Sequence, residues 1–354
     1  MTLHMEAAST TSFRIARVRA VAFRISLGLG VGALMLVAFL QLVNVNAVAA
    51  RLAGLSTGFA LLCGVAFLGA YFVRAMRWRC LLSPYCAVTV GRAAAIYQVA
   101  TFLNWLLPVR GGELAKSLLL RRTDGVPVSR SLATVAMDKT MDLLPALVLL
   151  ALLPFVGLHL SRALWVLLLS AQAVVVFAVF VLSLAAWRRD LALKVLTGLA
   201  KMLPRAARQR IEPFIVLFVD TLLGLIRRPR LLLVAGAYTA VAVTLDALFC
   251  WMAFKAVGVT LSVPIALYGY TFFNLAFILP TPPGQVGSNE LVGLSIFSGL
   301  YGVDRSGVGA MFLFSHPWTA VLMTVTGLVC LSVMGLTLRN TLRLAGEPGE
   351  REHA

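Results

Sequence analysis

Apolar stretches long enough to cross a bilayer follow one another along almost the whole of this chain. A hydrocarbon core of about 30 Å needs about 20 mostly apolar residues in helical form. Runs such as Val21–Val43, Leu55–Val73 and Leu231–Phe254 meet that length. A mean hydropathy of +0.92, with 60% hydrophobic and 13% charged residues, excludes an ordinary water-soluble domain of 354 residues. No stretch is polar enough for a separate soluble unit. The expected fold is therefore all-α: a polytopic membrane protein forming a single membrane domain over 1–354.

The formal charge of +17 comes mostly from arginines set in blocks between the apolar runs. That pattern marks cytoplasmic loops and attracts anionic lipid headgroups. No folded basic module remains to grip a duplex, so no nucleic-acid partner is expected. Cys63, Cys80, Cys86, Cys250 and Cys330 show no CxxC spacing and read as small apolar residues, not as metal ligands or a disulfide framework. Arg14, Arg17, Arg19 and Arg24 precede the first apolar run, and Ala47-Val48-Ala49 resembles a cleavage site. The run from Leu27 to Val43 is near spanning length, which favours an uncleaved first span.

Basic residues then thread the chain. Val21–Val43 runs outward, and Leu55–Val73 returns to land on Arg74, Arg77 and Arg79. Ala93–Leu107 has only 15 residues and leads into Pro108-Val109-Arg110-Gly111-Gly112-Glu113. Both flanks are basic, so this piece reads as a re-entrant hairpin, 93–121, with its tip at membrane depth. Ser131–Gly157 crosses outward, Ala163–Ala186 returns, and 187–230 reads as cytoplasmic interfacial helices. Leu231–Phe254 crosses outward. Ile265–Leu279 is again short and ends in Pro280-Thr281-Pro282-Pro283-Gly284-Gln285-Val286-Gly287-Ser288-Asn289-Glu290. Leu291–Tyr301 closes that second hairpin, 265–301, and Gly307–Met334 is the last span. The proposed outer loops hold only Arg51, Arg162, Lys255 and Arg305 among the basic residues. The count is about six full spans plus two oppositely oriented hairpins.

Span, span, short hairpin, span occurs twice with opposite topology, over 21–157 and 163–335. Asn104 precedes Pro108, Gly112 and Glu113, and Asn274 precedes Pro280, Gly287 and Glu290. Inverted repeats with interrupted helices near the midplane are a transporter architecture.

The run Asn104-x-x-x-Pro108-x-Arg110-x-Gly112-Glu113, the later Asp138-Lys139-x-x-Asp142, and the segment Pro280…Pro283-Gly284…Gly287…Glu290 resemble the flippase-like membrane domain of lysylphosphatidylglycerol synthases. That domain also stands alone, and occurs beside some archaeal glycosyltransferases. The resemblance covers nearly the whole chain. It implies translocation of a lipid between leaflets, and it allows a homodimer. The synthases carry a soluble aminoacyl-transfer domain after the membrane part. Here the sequence ends soon after Arg343, so synthase activity is not expected. The family pairs an acid with Arg where this chain reads Asp138-Lys139.

Several residues then stand out as substrate-binding candidates. Arg110, before a helix N-terminus, would meet a lipid phosphate with its guanidinium and nearby backbone N–H groups. Pairing with Glu113 to hold the turn is the competing reading. Glu113 and Glu290 each sit in a first helical turn, where an acid suits the helix dipole; each would also serve a cationic headgroup or a proton. Asp138, Lys139, Asp142 and Asp246 are intramembrane charges. Lys139 would neutralise one aspartate, leaving the other acids to titrate or to meet Arg110. Asn104 and Asn274 would first satisfy broken backbone, and Gly284 marks the second tip. His316 beside Pro317 reads as a packed core histidine before a proton relay, and Trp105 and Trp318 as packing.

No nucleotide loop, metal spacing or serine elbow appears, so neither a catalytic residue nor a cofactor is expected. The function read from these features is movement of a polar-headed lipid between leaflets. That lipid is an anionic or aminoacylated phospholipid, or a polyprenyl-phosphate carrier. The expected location is the bacterial inner membrane, with both termini cytoplasmic. The alternative is an integral membrane glycosyltransferase, or its accessory subunit, acting on a polyprenyl-linked substrate.

Overall fold

A computed structural model describes residues 26–106, 111–152, 205–276 and 281–337, with six isolated helical positions between 153 and 204. Among the described residues there are helices and no strand. In chain order the helices are α1 (Ser26–Leu42), α2 (Val45–Ala53), α3 (Thr57–Leu82), α4 (Val90–Leu106), α5 (Gly112–Asp124), α6 (Val128–Leu152), α7 (Arg205–Ile226), α8 (Pro229–Ala256), α9 (Val263–Ala276), α10 (Ser288–Gly293) and α11 (Arg305–Val333). A π-helical stretch, Leu294–Leu300, continues α10. The Ala163–Ala186 span and most of the 187–204 segment lie outside the described residues, as do Arg110 and Pro280.

α3, α8 and α11 are long and apolar enough to cross a membrane. α6 is 25 residues long, but Asp138, Lys139 and Asp142 hold it out of that class. The spans wear their apolar side chains outward: Val65 is 68% exposed, Leu233 74% and Val333 79%. Such surface is stable only against lipid or another protein. The charges lie inside, where Arg77, Lys116 and Asp138 are buried. The molecule is thus inverted relative to a water-soluble bundle, as a membrane protein is.

α1 ends at Leu42, one residue before the expected end of the first span, and α2 then lies at 91° to it. Asn44 causes the break, because its side chain caps α2 by accepting the N–H of Ala47. Arg51, at the end of α2, then pairs with Asp304 at the start of α11. The second span does not end at Val73. α3 runs on to Leu82, so Arg74 and Arg77 are not loop residues at all. Apolar hydropathy stops at Arg74, but the backbone stays helical because its charges are met by partners inside the bundle.

α3 and α8 pack along their length, α4 packs on α11, and α4 and α5 pack against each other as a helical hairpin. Phenylalanines, among them Phe67, Phe249, Phe254, Phe297 and Phe312, fill the core between α3, α8 and α11. The hairpin closes tightly because position 112 is glycine. A Cβ there would sit 2.0 Å from the Ala100 carbonyl oxygen. Gly112→Ala is therefore expected to splay α4 from α5 and to destabilise the fold by about 2–3 kcal/mol. Thermal melting of purified protein measures this, and an unchanged melting temperature would mean that the hairpin is loose. Gly287 is similarly constrained, with φ of 76° and a Cβ position 2.3 Å from the Gly32 oxygen. It seats the second broken segment against α1.

Candidate functional site

Helical spacing brings charge to one place from four helices. Arg74 and Arg77 are three apart on α3, Glu113 and Lys116 three apart on α5, and Asp138 and Asp142 four apart on α6. Each pair shares a helix face. Lys139 on α6 and Asp246 on α8 complete the set.

The contacts close into a ring of alternating sign. Arg77 donates from Nε to Asp138 at 2.7 Å and from a terminal nitrogen to Asp142 at 2.6 Å. Asp142 lies 3.6 Å from Lys139, Lys139 2.9 Å from Glu113, and Glu113 3.1 Å from Lys116. Lys116 returns to Asp138 at 3.6 Å. Outside the ring, Arg74 makes a bidentate contact with Asp246 and approaches Asp142 at 3.7 Å. Four cations, Arg74, Arg77, Lys116 and Lys139, face four carboxylates, Glu113, Asp138, Asp142 and Asp246, so their formal charge cancels.

The ring has a closed side and an open side. Arg77, Asp138 and Lys116 are nearly fully buried, and Lys116 also lies 4.0 Å from the centre of the Tyr97 ring. Lys139, in contrast, has a side chain 44% exposed. Burial of this many charges is tolerable only because each has an opposite partner in place. Arg77 also donates to Thr239 on α8, which ties the fourth helix to the ring.

The open side faces a cavity of about 590 Å³. Asn104, Glu113, Lys139, Asp142, Asp246 and Asn274 line it, together with Arg74, Arg77 and Lys116. A second polar cluster forms another part of its wall. His316 on α11 contacts Glu290 through Nδ1 at 2.6 Å and the Gly284 carbonyl through Nε2 at 2.8 Å. Gln285 and Asn289 line the cavity beside it. The segment Pro283–Gln285 packs on the end of α4, where Trp105 lies 3.7 Å from the Cβ position of Gly284. The end of α4 and the segment Pro283–Gln285 thus meet at one cavity.

The sequence-derived candidates divide accordingly. Asn104 serves backbone: its Oδ1 accepts the N–H of Gly112, an otherwise orphan group at the start of α5, while its Nδ2 donates to Glu113. Asn274 does not mirror it; it is exposed to the cavity and makes no hydrogen bond among the described residues. Asp138 and Asp142 were expected to leave acid free to titrate or to meet Arg110. Instead both are paired with Arg77, and Asp246 with Arg74. Glu290 and Gly284 belong to the His316 cluster, and Arg110 lies outside the described residues.

Arg74, Arg77 and Lys116 were missed. A signal did exist: Glu113, Asp138, Asp142 and Asp246 outnumber the cations assigned to membrane depth, and buried carboxylates need partners.

A family profile described as Lysylphosphatidylglycerol synthase TM region matches residues 25–327. The chain belongs to that family. The chain is also similar to the curated protein Glycosyltransferase AglD of Haloferax volcanii, with 24% identity over 278 residues. That match covers 71% of this chain and 44% of the relative, so the chain spans less than half of the relative's length. No solved structure matches. The ring residues Arg77, Glu113, Lys116, Asp138, Lys139 and Asp142, and the adjoining pair Arg74 and Asp246, all fall inside the region that matches the family.

Proposed function

We propose that the protein moves a polar-headed lipid between the leaflets of the bacterial inner membrane. The observation that carries this reading is a cavity of about 590 Å³ walled by a charge-balanced ring, inside a bundle whose outer surface is apolar. A headgroup crossing hydrocarbon loses its hydration at large cost. A groove offering both signs of charge replaces that hydration while acyl chains remain in lipid. The ring carries no net charge, so a phosphate enters by taking Lys139 from Glu113 and Asp142. Lys139 suits this exchange because it is the most exposed cation of the ring. An amine on the same headgroup takes up the carboxylates so released. The lipid classes that fit are an anionic or aminoacylated phospholipid and a polyprenyl-phosphate carrier.

In this reading α4–α5 and α9–α10 are re-entrant hairpins from opposite faces, the halves 21–157 and 163–335 form an inverted repeat, and both termini are cytoplasmic. The approach of Pro283–Gln285 to α4 supports it. The test is reconstitution into sealed vesicles with several headgroup-labelled lipids. Labelled lipid should change leaflet without change of mass. Arg110→Lys is expected to slow this movement and Arg110→Ala to slow it further, in protein that melts normally. Lys keeps the charge but loses the fork geometry. Full transport by a well-folded Arg110→Ala variant would reduce Arg110 to a turn residue.

The relative's name supports a second reading, that the chain is a membrane glycosyltransferase or its accessory subunit; we take its substrate in that case to be polyprenyl-linked. Conversion of such a lipid into a compound of new mass by the purified protein would establish it in place of transport.

A further inference from the structure

We propose that Glu290 and His316 form a proton-binding site whose occupancy locks the broken segment Pro283–Val286 in place. The coupling to transport rests on the reading above, whereas the proton chemistry does not.

The argument is a count of hydrogen atoms. His316 is buried, and both its ring nitrogens face acceptors: a Glu290 oxygen at Nδ1 and the Gly284 carbonyl at Nε2. A neutral imidazole has one N–H and one lone pair. Both contacts are therefore satisfied only when Glu290 and His316 hold two protons between them. They do so as imidazolium with carboxylate, or as imidazole with carboxylic acid. Both forms are neutral overall.

Release of one proton to the cavity leaves the pair with a charge of −1 and a single N–H for two acceptors. That N–H stays with the carboxylate, because a charge-assisted hydrogen bond is the stronger one. The lone pair of Nε2 then faces the Gly284 oxygen at 2.8 Å. Two acceptors repel at that distance, so the Gly284 carbonyl must move away.

The segment it belongs to is built to move. Gly284 has φ of 66° and Gln285, a residue with a side chain, φ of 58°. A left-handed non-glycine residue persists only while its surroundings hold it. The His316 contact is such a hold, and Gln285 lines the cavity. The second oxygen of Glu290 and Oδ1 of Asn289 are buried without a hydrogen-bond partner among the described residues. A proton shared within the pair lessens the cost of that bare oxygen, and Asn289 extends the polar wall to the cavity. The other titratable or charged groups on this cavity are Tyr71, Arg74 and Arg77 of α3, Tyr97 of α4, Glu113 and Lys116 of α5, Lys139 and Asp142 of α6, Asp246 of α8 and Tyr270 of α9. The charged ones are all committed to the ring or to the Arg74–Asp246 pair, so none of them contacts His316.

Hydrogen–deuterium exchange of the full chain in lipid nanodiscs tests this. The readout is protection of the 281–293 peptide from mildly acidic to mildly alkaline pH, corrected for the intrinsic pH dependence of amide exchange. Wild-type protection is expected to fall by about tenfold as the proton leaves, the ratio set by losing the hydrogen bond to the Gly284 carbonyl. In Glu290→Gln, a glutamine amide donates to Nδ1 and Nε2–H keeps Gly284, so protection stays high at every pH. His316→Gln removes the Nε2 lone pair, and the glutamine amide donates to the Gly284 carbonyl whether or not Glu290 is protonated, so the pH dependence is lost and this variant serves where Glu290→Gln fails to fold. A flat wild-type profile, or a wild-type pH response in either folded variant, overturns the proposal. Vesicle transport is measured on the same proteins. A pH-dependent lock without lipid movement leaves this inference standing and removes the transport reading, and lipid movement with a flat profile does the reverse.

Discussion

Arg77→Ala is expected to remove more stability than any other single substitution in the charge ring, by about 3–5 kcal/mol. Arg77 is 1% exposed and holds Asp138, Asp142 and Thr239 at once. Its truncation leaves Asp138, which is 0% exposed, with only Lys116 at 3.6 Å. That separation is longer than a hydrogen bond. A buried carboxylate so stranded must protonate or pull the helices apart. Because Arg77 lies on α3, its carboxylate partners on α6 and Thr239 on α8, three helices lose a shared tie. Thermal melting of purified protein, or the yield of monodisperse protein, reads the effect. Arg77→Met combined with Asp138→Leu should recover part of the loss, since removing both charges avoids the stranded acid. An Arg77→Ala protein that melts like the wild type would mean that water reaches Asp138 and that the ring is not sealed on that side.

The second large effect is on transport and belongs to Lys139. Its side chain is 44% exposed to the cavity, so truncation strands Glu113 and Asp142 where they can be hydrated. The stability change is therefore small, within about 1 kcal/mol. Under the transport reading, however, Lys139 is the cation that leaves the ring to meet phosphate. Lys139→Ala is expected to slow lipid movement by about tenfold or more, the worth of one charge-assisted contact in a site shielded from bulk water. Lys139→Arg, which keeps the charge, should retain most of the rate. Measured side by side, Arg77→Ala and Lys139→Ala separate what holds the bundle together from what handles the headgroup. Normal transport by a folded Lys139→Ala protein would make the ring purely structural.

Much of the architecture could be read directly from residue order. Leu231–Phe254 and Gly307–Met334 appear as α8 and α11 within a few residues, because a span is a local property: about 20 apolar residues suffice to declare it. The two interrupted segments were visible for the same reason, since Pro and Gly mark broken helix wherever they fall. The bend after Leu42 was not visible. It rests on Asn44 capping α2 and on Arg51 reaching Asp304, and that pair spans 253 positions.

The site shows the same division more sharply. Glu113, Asp138, Lys139 and Asp142 were recognisable because a charge inside an apolar run is conspicuous on its own. Arg74 and Arg77 were not, because an arginine at the end of an apolar run looks the same whether it faces cytoplasm or folds inward. His316 looked like core packing until Glu290 and the Gly284 carbonyl were seen on either side of it. Composition and hydropathy thus determined that the chain lives in a membrane, where its longest apolar helices lie, and which charges interrupt an apolar run. Only the tertiary structure decided which charge meets which, because pairing depends on distances between helices far apart in sequence. Those distances make six costly ions into a neutral ring with one side open to a cavity, and set the Arg74–Asp246 pair beside it.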